Sequence, residues 1–100
     1  MKLIELKCVQ PYFDDVWNGK KPCECRFDDR NYEVGDILRL REYIPSEVLD
    51  INGPYTGREV VAVVLSMVPK NTFVGLTKGY CLMSLRVLYC FSKEGGIVLV

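Results

Sequence analysis

Apolar and polar residues alternate from Leu3 to Val9, with Lys2, Glu5 and Lys7 near the exposed edges, and this period of two predicts a first strand. The pattern then changes. Tyr12, Phe13, Val16 and Trp17 fall at spacings that give a helix one apolar face. Pro11 suits a first helical position because its missing N–H is not needed there. Asp14 and Asp15 suit the positive end of the helix, and Gly19 supplies a stop in the left-handed conformation. The spacing predicts a helix over Pro11–Asn18, about two turns long.

Beyond Gly19 the period of two returns. Pro22–Phe27 reads as a strand, Asp28–Asn31 as a turn and Val34-Gly35-Asp36 as a second turn. Ile37–Tyr43 follows as a strand, with Leu38 and Leu40 alternating against Arg39 and Arg41. Ile44–Gly57 carries Pro45, Asn52-Gly53-Pro54 and Gly57 and reads as a long connection. Arg58–Val68 is valine-rich on both faces, as expected of a central, covered strand. After a loop over Pro69–Gly79, Tyr80–Phe91 reads as one strand, or two with a bend. Ser92–Gly96 has the composition of a hairpin turn, and Ile97–Val100 forms a last short strand. The expected fold class is mainly β with a short N-terminal helix (α+β). With so little helix to cover a sheet, the strands should cover one another by curling into a small β-barrel.

Composition narrows the function classes. One hundred residues make one domain, 1–100, with 49% apolar and 26% charged residues. Thirteen basic residues balance thirteen acidic ones, which argues against coating nucleic acid by charge alone and leaves room for a local basic face. The first residues carry no apolar run of signal-peptide length, and no segment approaches a membrane span. Five cysteines without Cys-x-x-Cys spacing read as reduced thiols, so a cytoplasmic location is expected. No histidine is present, which removes the commonest general base and a common metal ligand. No cofactor and no metal site are expected.

The densest candidate chemistry lies in Gly19-Lys20-Lys21-Pro22-Cys23-Glu24-Cys25-Arg26, where the helix stops and a strand begins. Lys21 can aim a cation at a phosphate or polarise a carbonyl. Its spacing also suits a solvated lysine beside the equally basic Lys20. Glu24 and Arg26 lie two apart on a strand and project from one face. A carboxylate there can accept from a ring N–H or exocyclic amine while the guanidinium donates to phosphate or carbonyl. The same pair also suits a surface ion pair of little consequence. Cys23 and Cys25 occupy the opposite face and are expected as small core residues rather than nucleophiles. Asp29, Arg30 and Asn31 serve a cleft mouth or a turn equally. Tyr55 and Arg58 flank the Thr56-Gly57 turn, and Tyr80 follows Gly79. An aromatic beside a cation suits base stacking with phosphate contact, and tyrosines that begin strands in a small barrel serve equally as core edge. Trp17 is expected to anchor the helix on the barrel.

The pattern Gly19-x-Lys21-x-x-Glu24-x-Arg26 resembles the signature of ASCH domains in the PUA-like superfamily. Glu5-Leu6-Lys7, Tyr12-Phe13, Asp29-Arg30-Asn31, Val34-Gly35-Asp36, Leu40-Arg41-Glu42, Tyr55-Thr56-Gly57-Arg58-Glu59, Phe73-x-Gly75-Leu76 and Gly79-Tyr80 are similar to a branch of small bacterial and phage ASCH-like domains of unknown function. The likeness runs from about Leu3 to Leu85. It implies a PUA-like pseudo-barrel with a cleft beside the helix that binds RNA or a modified nucleoside. Two departures stand out. Ile4 replaces the branch's usual histidine, and Val87–Val100 extends past the usual end as an extra C-terminal hairpin.

Three functions are weighed. The leading expectation is a module binding RNA, a nucleotide or a modified nucleoside, with Lys20, Lys21, Glu24, Arg26, Arg30, Tyr55, Arg58 and Tyr80 as ligand-binding residues. The second is a hydrolase on an acetylated nucleoside or on RNA, with Lys21 and Glu24 catalytic. The resemblance counts against it, because members with that activity carry a threonine where Glu24 stands. The third is an adaptor or inhibitor from a phage or mobile element, self-associating through its C-terminal strand.

Overall fold

A computed structural model describes residues 1–45 and 53–99. Six strands and one helix follow in chain order: β1 (Leu3–Cys8), α1 (Tyr12–Trp17), β2 (Cys23–Phe27), β3 (Ile37–Tyr43), β4 (Tyr55–Val68), β5 (Tyr80–Ser92) and β6 (Gly96–Leu99). The fold is mainly β with one short helix, and the sheet curls into a half-barrel. No helix among the described residues is long and apolar enough to cross a membrane.

The sheet runs β1-β3-β4-β5-β2, with β6 paired to β5 off that path. β1 lies parallel to β3, and the other pairings are antiparallel. β4 is flanked by β3 and β5 on both sides over its middle, Glu59–Val63, as its valine-rich sequence leads one to expect. It also begins earlier than the expected Arg58. Tyr55 pairs with Tyr43 past a register shift between Arg41 and Tyr43, and Gly57 takes φ +95° in the irregular stretch. β5 is one continuous strand, with β2 against its first part and β6 against its last. The final strand runs Gly96–Leu99; the rest of the expected Ile44–Gly57 connection and Val100 include positions outside the described residues.

Alternation fixes the core. Ile4, Leu6 and Cys8 of β1, Leu38 and Leu40 of β3, Val60, Ala62 and Val64 of β4, and Cys81, Met83 and Leu85 of β5 all turn to the concave face. The helix closes this face with Phe13 and Val16, both fully buried, and Trp17 packs at the margin. Trp17 thus anchors the helix, while Tyr12 is half exposed. Ile4 is a plain core residue.

One buried polar residue ties the strand starts together. Asp36 accepts the backbone N–H groups of Lys2 (2.8 Å) and Glu33 (2.9 Å) and lies 3.3 Å from the Lys2 ammonium. Burial raises its pKa, but these hydrogen bonds and the lysine charge outweigh that and hold it below the ordinary carboxylate value.

The expected core role of Cys23 and Cys25 needs correction. Cys25 is exposed and Cys23 half-buried. Register explains why. Glu24 stands opposite the fully buried Met83, and Arg26 opposite the fully buried Cys81, so the Glu24–Arg26 side of β2 is the concave one. The cysteines therefore turn outward.

Candidate functional site

β1 and β2 are the two ends of the five-strand path, and the half-barrel stays open between them. A cavity of about 570 Å³ occupies this seam. Lys7, Cys8 and Val9 form one wall and Glu24 to Phe27 the other, with Tyr12 and Lys21 at the helix side and Asp29, Tyr32 and Tyr80 completing the lining. Arg26 spans the seam. Its Nε donates to Glu24 Oε2 and its Nη2 donates to the carbonyl of Lys7, each at 2.5 Å.

Local structure puts each group in place. Gly19 takes φ +74° after the helix, which lets the chain reverse, and the N–H groups of Lys20 and Lys21 both bond to the Asp15 carbonyl, at 2.8 and 3.1 Å. Lys21 is thereby fixed at the helix end, with its ammonium 4.8 Å from the Tyr12 ring centroid. Pro22 then accepts a hydrogen bond from Leu85 N–H, which starts the β2–β5 ladder and points Glu24 and Arg26 inward. Phe27 and Tyr80 are paired across that ladder and meet edge to face at 5.8 Å, forming an aromatic lip of the cavity that Tyr12 also lines. Gly79 permits this lip, because a Cβ there would meet the Phe27 ring at 2.6 Å.

Glu24 is buried, with 6% of its side chain exposed. Among the described residues its one hydrogen-bond donor is Arg26, which uses Oε2. No buried side-chain oxygen or nitrogen among these residues lacks a partner, so Oε1 must touch the open cavity. Lys21 likewise has no carboxylate partner among the described residues. The cleft thus presents one free carboxylate oxygen, one ammonium and a guanidinium edge beside an aromatic lip. Cys8 and Tyr32 line the same space with neutral groups. Burial, then the negative field of Glu24, pushes the Cys8 thiol up to about 11, and burial also raises the Tyr32 phenol.

A second cavity of about 520 Å³ adjoins the first, sharing Lys7 and Arg26 and lined further by Glu5, Leu6, Arg30, Arg41 and Tyr55. The Arg41 guanidinium lies 3.9 Å from the Tyr55 ring centroid, and Tyr55 meets Tyr43 edge to face at 5.2 Å.

The structure therefore brings Lys21, Glu24, Arg26 and Tyr80 around the first cavity, and Arg30 and Tyr55, with Arg26 again, around the second. It does not bring Lys20 or Arg58 into either. Lys20 is exposed beyond the helix end. Arg58 is committed elsewhere: its Nε and Nη2 donate to Glu42 at 2.8 and 2.9 Å, and Nη2 also donates to Asp14 at 2.8 Å. Its guanidinium lies over the Phe13 and Trp17 rings, at 5.1 and 4.9 Å. This cluster fastens the helix to β3 and β4, so the pairing of Arg58 with Tyr55 as a ligand contact is corrected.

Sequence reasoning missed Lys7, Cys8, Tyr12, Tyr32 and Arg41 as cavity residues. The first three belong to elements read for their core-facing pattern, and only the open seam gives them a second role. Tyr32 follows a turn that carries no period. Arg41 had a signal, since alternation already placed it on the outer face of β3. Among the described residues no group of three or more Cys, Asp or Glu side chains is arranged to hold a metal ion.

Comparison with known proteins agrees with the phage side of the likeness. Over 61 residues the chain is 46% identical to an "Uncharacterized 12.9 kDa protein in GpA 3'region" of Escherichia phage P2. The matched stretch covers 61% of this chain and 50% of the phage protein, so the chain spans about half the length of that relative. A family described as "Domain of unknown function (DUF3850)" matches residues 3–85, from the first strand through the half of β5 that carries β2, and the β6 hairpin lies beyond it. The cleft, with both of its walls, lies inside that span, and the chain belongs to this DUF3850 family.

Proposed function

We propose that this chain is an ASCH-like member of the PUA-like superfamily and that its seam cleft binds RNA, a nucleotide or a modified nucleoside. The observation that carries the reading is the open Oε1 of Glu24 facing a cavity it shares with Lys21 and Arg26. A nucleobase is a flat ring with donors and acceptors on its edge. Glu24 accepts from a ring N–H or exocyclic amine, and Lys21 and Arg26 donate to carbonyl or phosphate oxygens. Tyr12, and Phe27 with Tyr80, offer ring faces for stacking. A cavity of about 570 Å³ lies within the range that holds a nucleoside.

Titration of nucleosides and short single-stranded RNAs against the wild type and Lys21→Ala tests this. Saturable binding that the substitution weakens at least tenfold is the expected outcome. Equal weak binding by both proteins, lost in moderate salt, would leave only nonspecific charge and overturn the reading.

A further inference from the structure

We infer that the second cavity is a phosphate subsite, so that the ligand of this protein is a nucleobase carrying a phosphate ester rather than a free base or nucleoside. The inference rests on the nucleobase reading of the first cavity and extends it to the neighbouring space.

The two cavities differ in charge while sharing a wall. The first is lined by Lys7, Lys21 and Arg26 against Glu24 and Asp29, a near balance suited to the mixed donors and acceptors of a base edge. The second is lined by Lys7, Arg26, Arg30 and Arg41 against Glu5 alone. In a chain whose total charge is zero, gathering four cations around one space of about 520 Å³ is a local device. Three of the four are arginines, whose planar forks fit phosphate oxygens.

Geometry supports the same division. Arg26 closes the boundary, with Nε on Glu24 and Nη2 on the Lys7 carbonyl. Both Arg26 and Lys7 line the two spaces, so a group bonded to the base in the first cavity passes this boundary on entering the second. Arg41 lies over the Tyr55 ring, 3.9 Å from its centroid, and pairs with Glu59 at 3.4 Å and Glu5 at 3.9 Å, which restrains its guanidinium before any ligand arrives. Arg30 is half exposed and 3.9 Å from Asp29, a loose pair that can yield to phosphate. A nucleoside 5′-monophosphate and a single-stranded chain share this chemistry, a phosphate ester beside a base.

The test is calorimetric titration of the four common ribonucleosides, their 5′-monophosphates and the corresponding dinucleotides. The proteins are the wild type, Arg30→Gln, Arg41→Gln and Lys21→Ala. The monophosphate should bind the wild type about tenfold more tightly than its nucleoside, with the advantage shrinking as salt rises. In Arg30→Gln and Arg41→Gln that advantage should fall to about twofold while nucleoside affinity holds, and Lys21→Ala should weaken every ligand. A dinucleotide tighter than the monophosphate assigns a chain, and equal affinities assign a free nucleotide; either supports the subsite. Arg30→Gln is on the surface and keeps the test open should Arg41→Gln unfold. Nucleosides that bind the wild type as tightly as their monophosphates would overturn the subsite and leave the base cleft standing. So would a phosphate advantage that survives both substitutions. Failure of all these ligands to bind would overturn both readings.

Discussion

Two arginine–carboxylate clusters in this molecule use the same residue types to opposite ends. Under the helix, Glu42 accepts from Arg58, from Thr56 Oγ1 at 2.6 Å and from Gln10 Nε2 at 2.5 Å, while Arg58 serves Asp14 as well. In the seam, Glu24 accepts from Arg26 and keeps an oxygen toward a cavity of about 570 Å³. Burial does not separate them, since both carboxylate side chains are 6% exposed. The difference is spare hydrogen-bonding capacity beside open space. Both oxygens of Glu42 are spent on the fold, and Glu24 has one left for a ligand.

The largest expected effect is on stability. Arg58→Ala leaves Glu42 buried without its main partner and should cost about 3 kcal/mol in urea unfolding. Arg26→Ala should cost only about 1 kcal/mol, because Glu24 already opens onto the cavity. Equal costs would erase the distinction. Next, Lys21→Ala should lower ligand affinity at least tenfold, about 1.4 kcal/mol, while shifting stability by less than about 0.5 kcal/mol. A large stability loss would move Lys21 into the structural class.

The pH dependence sharpens the comparison further. The hydrogen bonds from Arg58, then those from Thr56 and Gln10, outweigh burial and hold Glu42 below its ordinary value, and Asp36 is also lowered. A carboxylate depressed in the folded state stabilises above its unfolded pKa, about 4.3 for Glu, and that contribution is lost as pH falls through the folded value. Unfolding midpoints should therefore drop below about pH 4.3, and Glu42→Gln should flatten the drop. The smallest effect concerns thiols. Cys25, exposed, should react with an aromatic disulfide at neutral pH, whereas Cys8 should stay protected. With its thiol raised from 9.0 to about 11, Cys8 favours folding below pH 9, and that contribution fades as pH rises toward 11. Mass mapping of labelled cysteines across this range checks it.

Much of the fold was legible. The alternation in Leu3–Cys8 and Ile37–Tyr43 matches the strands because burial on one face of a sheet imposes a period of two. Gly19 ended the helix because few other residues adopt its backbone angle without strain. The start of β4 was hidden, since Tyr55–Gly57 pairs through an irregular register that no period announces.

What the sequence determined by itself is local: which stretches are strands, where the helix stops, and that Lys21, Glu24 and Arg26 lie within a few residues of one another. Which face of β2 is the inner one was decided by its pairing with β5. Cys25 lost its expected core environment because Met83 stands opposite Glu24, which makes the Glu24 side of β2 the inner one. Tertiary structure alone separated Arg58 from Arg26, by closing one guanidinium under the helix and leaving the other across the gap between β1 and β2. The physical reason is that periodicity reports burial within one element, whereas spare hydrogen bonds and open volume depend on elements far apart in the chain.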